Sequence, residues 1–219
     1  MTDYHRYRGG ISYRRYWLNR LLSQNHRLMR GIVVDLGGKR SLNTAQIVNP
    51  SDSEISLWLN LNINKESQPD IISDICFIPI ASAAVDTVIC TEVLEHLLNP
   101  QLCVDEAFRI LKLRGVFIGS APFIYPLHAD PCDYSRFTAE RIKLLFADFS
   151  RVDIFPMGGY LGTVGMLVQL GGSKLLWPRL LRLAAIRFGE FLCFLDEKGW
   201  GRLSSPDSFT TGFFWIAYK

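Results

Sequence analysis

No two cysteines of this 219-residue chain form a C-x-x-C pair; Cys76, Cys90, Cys103, Cys132 and Cys193 are widely spaced. Such spacing offers neither a disulfide framework nor a cysteine zinc site, and it fits a reducing compartment. The chain also lacks an uninterrupted apolar run of about 18 residues, the length that spans a bilayer. Its Tyr- and Arg-rich start, MTDYHRYRGGISYRRYW, lacks the apolar stretch of a secretory signal. A cytoplasmic protein is therefore expected, with peripheral contact at the inner membrane face left open. Neither sign of charge dominates: a net charge of +3 and a pI of about 8.6 are too mild to demand a nucleic-acid partner. No run of residues has metal-ligand spacing, so no metal is expected.

What the chain does have is an ordinary globular composition, 48% hydrophobic and 21% charged, which excludes a disordered, collagen-like or coiled-coil protein. Its length is about one and a half typical domains, which fits one large domain with appendages. Residues 1–30 form a basic extension, with Arg6, Arg8, Arg14, Arg15, Arg20, Arg27 and Arg30 against Asp3. Tyr16, Trp17, Leu21, Leu22 and Leu28 suggest a helix over 13–29, whose arginines are either a solvated outer face or a phosphate- or RNA-seeking arm. Residues 31–158 and 199–219 read as the core. Residues 159–198 form an apolar helical insert or lid, in which Leu175, Leu176, Trp177, Leu180, Leu181, Leu183, Phe188, Phe191, Leu192 and Phe194 alternate with Arg179, Arg182 and Arg187. Packing as a lid or homodimer face is one reading of it; peripheral membrane contact is the other.

Within the core, residues 31–38 read G-I-V-V-D-L-G-G, a β-branched run ending in an acid and paired glycines, as in a buried parallel strand feeding a tight loop. Residues 56–63, 69–75 and 84–92 read as the next three strands. Asn99 and Pro100 supply the N-cap and first position of a helix with Val104, Phe108 and Leu111 on its apolar stripe, expected to stop at Gly115 before a fifth strand over 116–120. Thr138 caps a second helix carrying Ile142, Leu145, Phe146 and Phe149. Residues 152–155 and 211–218 read as the sixth and seventh strands. Strands alternating with helices imply a mainly parallel α/β sheet whose ligand sits at the carboxyl ends of the strands.

The residues V-V-D-L-G-G at 33–38, Asp74-Ile75, V-D-T-V-I-C-T-E-V-L-E-H-L-L-N-P at 85–100 and E-A-F-R-I-L-K at 106–112 resemble a class I S-adenosylmethionine-dependent methyltransferase of type 11. The resemblance runs over 31–149, and 211–219 is similar to the family's last, antiparallel strand. It implies an α/β, Rossmann-like methyltransferase fold with a seven-stranded, mostly parallel sheet, here with the helical apolar insert before the last strand. S-adenosylmethionine is then the implied cofactor. Gly37 and Gly38 would let backbone N–H groups approach its carboxylate tail, and Asp35 would orient that loop or reach the ammonium through water. Asp74 would accept from the adenine amino group while Ile75 packs on the ring. Glu92 is either a ligand contact or a loop hydrogen bonder. Two departures weaken the match. Lys39 and Arg40 follow the glycines, and Asn62 stands where the family grips the ribose with a carboxylate, so Asn62→Asp is expected to tighten cofactor binding.

The segment 122–138, P-F-I-Y-P-L-H-A-D-P-C-D-Y-S-R-F-T, is a stiff loop too long for a plain connector. It resembles a stretch in bacterial methyltransferases linked to surface-polysaccharide or small-metabolite modification. His128 is its general-base candidate, with Asp130 or Asp133 to orient it and Tyr125, Tyr134 and Arg136 as acceptor contacts. Alternatively His128, Asp133, Tyr134 and Arg136 only cross-brace the loop. His96, leading straight into a capped helix, reads as a brace. The expected activity is methyl transfer to a small-molecule or glycan-type acceptor, through oxygen. Its rivals are a catalytically silent interaction module and an RNA methyltransferase; the second is disfavoured by the mild charge and the lack of an N-P-P-Y tetrapeptide.

Overall fold

A computed structural model describes residues 11–38, 54–128, 132–174, 178–201 and 206–219. Its β-branched and aromatic runs form β1 (Gly31–Leu36), β2 (Ile55–Asn62), β3 (Ile71–Ile72), β4 (Val85–Thr91), β5 (Leu111–Pro122), β6 (Arg151–Pro156) and β7 (Gly212–Tyr218). These make one seven-stranded sheet in the order β3-β2-β1-β4-β5-β7-β6. The neighbours among β1 to β5 pair in parallel, and β7 is antiparallel to both β5 and β6. This is the expected mostly parallel sheet with its antiparallel last strand. Chain order reverses between β1 and β4, which opens a crevice at their carboxyl ends.

The period of two along a strand sorts side chains between the sheet's faces. Phe213, Trp215 and Ala217 of β7 join Phe117, Phe146 and Phe149 in one buried layer. Phe214 and Ile216 join Leu18, Leu22, Val33, Ile89 and Ile118 in the other. The first layer is covered by α2 (Pro100–Ile110) and α3 (Ala139–Leu145), where Thr138 caps as expected by accepting from the Arg141 N–H at 3.2 Å. The second is covered by α1 (Tyr13–Gln24).

Three boundaries differ from the sequence reading. The amino-terminal helix ends at Gln24, because the Asn25 side chain donates to the Leu21 carbonyl at 2.8 Å and a 3-10 turn follows. The third strand is confined to two residues beside Leu61 and Asn62, leaving Asp74 in the turn beyond it. The helix that Gly115 was expected to stop ends at Ile110. Ala83 and Ala84 donate to the carbonyls of Arg109 and Ile110, and Leu111 pairs with Val85, so the sheet recruits the chain before the glycine is reached.

The apolar segment forms α4 (Tyr160–Lys174) and α5 (Arg179–Glu197). They pack backbone to backbone: a Cβ on Gly165 would come 2.5 Å from the Gly189 carbonyl, and one on Gly189 equally close to that of Gly165. Tyr13 of α1 lies fully buried in a notch at Gly158 and Gly162, with its hydroxyl donating to Asp196 of α5 at 2.5 Å. Leu180, Leu181, Leu183, Phe188 and Phe191 remain exposed on α5. No described helix is long and apolar enough to cross a membrane. Leu175, Leu176 and Trp177 lie outside the described residues, as do Lys39, Arg40 and Asp130.

The E-A-F-R motif of α2 has a bracing role. Glu106 accepts from the Ile78 N–H at 2.7 Å, and Arg109 donates to the carbonyls of Ile78 and Ile80, each at 2.8 Å, while the two side chains pair at 2.7 Å. The Arg109 hydrogen bond holds the Glu106 carboxyl below its ordinary value. A depressed carboxylate contributes stability above its unfolded pKa and loses it as pH falls through the folded value. Glu106→Gln is therefore expected to lower the thermal midpoint at pH 7, with the gap to wild type closing as pH drops below about 4. A gap independent of pH in thermal melts would show that packing, not charge, makes the brace.

Candidate active site

At the carboxyl ends of β1, β2 and β4 lies a cavity of about 530 Å3, within the range of small-molecule sites. Gly37 and Gly38 form part of its wall. Gly37 has φ +77, a left-handed conformation that favours glycine, and a Cβ there would sit 2.5 Å from a Val93 methyl. A Cβ on Gly38 would sit 2.8 Å from both Asn60 Oδ1 and Asp35 Cγ. Asp35, 3% exposed, stands behind this loop on β1. Asn62 lines the cavity too, but its amide donates to the Gly37 and Gly38 carbonyls at 3.0 and 3.2 Å, and its oxygen accepts from the Asn64 N–H at 2.9 Å. It braces the glycine loop with both ends of its amide. On the facing wall Asp74 caps its own turn by accepting from the Cys76 N–H at 2.9 Å, and Ile75 is buried beside it.

Glu92 follows β4 at φ +59, a strained conformation for a non-glycine residue. Its N–H donates to the Ser120 carbonyl at 2.9 Å, the Ser120 hydroxyl donates back to Oε1 at 2.7 Å, and Arg14 ion-pairs with Oε2. Arg14 is only 8% exposed and also stacks on the Tyr125 ring with its guanidinium carbon 3.8 Å from the centroid. The arginines of α1 are thus not all solvated, nor is Arg14 available to an RNA: with Arg15 it lines the cavity. A sequence signal existed, since Arg14 shares the i, i+4, i+7 face of buried Leu18 and Leu21.

The turn after Glu92 and the loop over 122–138 are one unit. Tyr134 and Ser135 donate their N–H groups to the Glu95 carbonyl at 2.8 and 3.3 Å, and His96 Nδ1 donates to the Cys132 carbonyl at 2.5 Å. Asp133 accepts from the His128 N–H at 2.9 Å and is clamped by both ends of the Arg136 guanidinium, which holds its carboxyl well below the usual carboxylate range. His128 Nδ1 lies 3.3 Å from the same carboxylate. Burial first, then the Arg14 charge, pulls the His128 ring below its ordinary pKa. Both His96 and His128 face the cavity.

The other loop residues divide. Tyr125 packs edge-on against His128 with ring centroids 5.2 Å apart. Tyr134 is 53% exposed and lines no part of this cavity, while Arg136 spends its donors on Asp133 and the Pro126 and Ser135 carbonyls. Expected as acceptor contacts, these two stand instead as an outward ring and a brace. Glu95 went unremarked in the sequence beyond its place in the motif. It is fully buried, neither oxygen has a hydrogen-bond partner, and burial followed by the Glu92 charge pushes its carboxyl up to about 8.

Residues 41–119 match the model of the methyltransferase domain family. No curated protein matches the sequence. A SAM-dependent methyltransferase from Archaeoglobus fulgidus has the same fold, with a TM-score of 0.58 at 15% identity over 92% of this chain and 93% of that one. The cyclase SpnF is similar at 0.58 and 13% identity, over 92% and 81%. Phosphoethanolamine N-methyltransferase 2 of Haemonchus contortus, in complex with S-adenosyl-L-methionine, aligns at 0.57 and 10% identity over 92% of this chain and 52% of its own length. The fold is the Rossmann-like methyltransferase fold. The match over 41–119 is to a methyltransferase domain, whose cofactor would be S-adenosylmethionine. The cavity fits that cofactor, with a side-chain-free glycine wall for its amino-acid tail and an acid beside an apolar residue, Asp74 and Ile75, for its base.

Because the Asn62 amide is committed to the glycine loop, the expectation for Asn62→Asp inverts: a carboxylate would face two carbonyls it cannot donate to. The variant is expected to lose about 1–3 kcal/mol of stability and to bind S-adenosylhomocysteine more weakly. Calorimetric titration showing tighter binding would return Asn62 to a ribose-gripping role.

Proposed function

We propose that this methyltransferase acts on a hydroxyl group of a small-molecule or glycan-type acceptor. Asp35, Gly37, Gly38, Asn62, Asp74, Ile75 and Glu92 are the residues assigned to the cofactor, and His128, positioned by Asp133, is assigned to the acceptor hydroxyl. The observation that carries the reading is the place of His128 in the cavity wall, held by Asp133 through its backbone N–H with its Nδ1 3.3 Å from the same carboxylate. An amine acceptor brings its own lone pair; a hydroxyl gains most from a group that makes it more nucleophilic. S-adenosylmethionine supplies an electrophilic methyl group, which the acceptor oxygen takes while the electron pair of the C–S bond passes to sulfur. The protein's remaining task is proximity and alignment. Arg14, stacked on Tyr125 and paired with Glu92, closes the cavity on the side of α1. The described part of the basic extension is assigned to this wall through Arg14 and Arg15, and α5 is assigned, through its exposed apolar row, to a membrane surface or a second copy of the chain.

The test is transfer of a labelled methyl group to a panel of phenols, glycosides and amines, with His128→Ala alongside. Methylation of hydroxyl compounds, cut about a hundredfold or more in the variant while S-adenosylhomocysteine still binds, supports the reading. Methylation of amines alone overturns the oxygen acceptor. No calorimetric binding of S-adenosylhomocysteine to the wild type at about 1 mM would make the chain a silent module.

A further inference from the structure

We infer that Glu95, His96 and His128 form a binding site for a divalent first-row metal cation at the acceptor end of the cavity. Glu95 Oε1 lies 3.8 Å from His96 Nε2 and 3.7 Å from His128 Nε2, and the three ligand atoms fall within 4.8 Å of one another. Ligand atoms about 2.0–2.2 Å from a shared ion stand about 3.0–3.5 Å apart. The cluster needs to contract by only a few tenths of an ångström along the two shorter separations.

The donor chemistry points the same way. A carbonyl oxygen only accepts, so the His96 Nδ1 that bonds to Cys132 carries the ring proton and Nε2 presents a lone pair to Glu95. His128 Nδ1 lies 3.3 Å from the Asp133 carboxylate without a hydrogen bond to it, and its Nε2 faces Glu95. His96 therefore has the outer support that fixes a metal-binding imidazole, a backbone carbonyl, and His128 has a carboxylate close by its outer nitrogen. Between them sits the fully buried Glu95 carboxyl, which has no hydrogen-bond partner beyond its own backbone. Three groups with metal-ligating atoms converge there, and a buried carboxyl in that position carries a proton or meets a cation. Two imidazoles and one carboxylate suit Zn2+, Mn2+ or Fe2+ better than Mg2+ or Ca2+, and they leave coordination positions open.

Because His96 and His128 line the cavity, those open positions face the acceptor. The role of the ion rests on the methyl-transfer reading above: it would hold the acceptor oxygen and lower its pKa, so that the hydroxyl loses its proton to solvent, and His128 would then serve as a ligand of the ion and not as the base. The existence of the site does not rest on that reading. The sequence showed no ligand cluster because His128 comes 32 residues after His96 and only the latch between the two loops unites them.

The test uses the full chain, stripped with EDTA and titrated with MnCl2, followed by the loss of the free Mn2+ electron paramagnetic resonance signal, and with ZnCl2 by calorimetry. One ion per chain is expected, with a higher thermal midpoint in its presence. Glu95→Gln and His96→Gln are each expected to weaken binding at least about tenfold, while S-adenosylhomocysteine titration reports that they remain folded. No stoichiometric binding of either ion at 1 mM, or equal binding by both variants, overturns the site. If the variants fail to bind S-adenosylhomocysteine, His128→Gln serves in their place. Methyl transfer to hydroxyls that survives EDTA without loss overturns the ion's role in the reaction. An ion bound by a chain that methylates only amines keeps the site and removes the oxygen reading instead.

Discussion

The turn at the end of β4 is the constraint on which the rest of the site depends. Glu92 is held in a left-handed conformation by three partners: the Ser120 carbonyl, the Ser120 hydroxyl and Arg14. From there residues 94–96 make a single 3-10 turn that buries Glu95 and turns His96 to the cavity. The loop after β5 then latches onto that turn through the Glu95 carbonyl and the His96 ring, which brings His128 alongside. A non-glycine residue at positive φ carries a cost of order 1–3 kcal/mol, sustained only where the surroundings over-determine it. Ser120, on the central strand β5, and Arg14, on the helix covering β1, supply that restraint.

Charge burial separates structural from reactive groups here. Arg14 with Glu92, and Arg136 with Asp133, are ion pairs largely shielded from water. Such pairs contribute little net stability, yet breaking one costs about 3–5 kcal/mol because it strands the other charge. They fix geometry. Glu95 has no such hydrogen-bonded partner, and beside it stand two imidazoles whose Nε2 atoms face it. A group left unsatisfied next to satisfied neighbours is where a fold keeps binding capacity instead of cohesion.

The amino-terminal helix ties the catalytic half of the molecule to the helical hairpin. Tyr13 is seated among glycines at the start of α4 and bonds to Asp196 of α5, while one residue on Arg14 reaches the cavity. Consecutive residues of a helix point about 100° apart, so α1 can serve both contacts from one turn. The apolar hairpin is in this way coupled to the wall of the pocket through a single rigid element.

The sequence by itself determined the strand-forming runs, the capped helices at Asn99 and Thr138, and the glycine wall, while the antiparallel end of the sheet was what the family resemblance implied. These are set by local pattern: period-two alternation, capping chemistry and the steric freedom of Gly37. Only the tertiary structure decided where the patterned elements stop and what the polar residues do. Sheet pairing drew Leu111 into β5 ahead of Gly115, and the Asn62 amide turned to the Gly37 and Gly38 carbonyls at the cavity's edge. Arg14 was drawn inward by Glu92, 78 positions away in the chain, and Glu95 met His128 only when two loops closed on each other. A lone polar side chain carries no local mark of its partner, because hydrogen bonds and ion pairs are chosen by proximity in space and hydrophobic spacing alone is written along the chain.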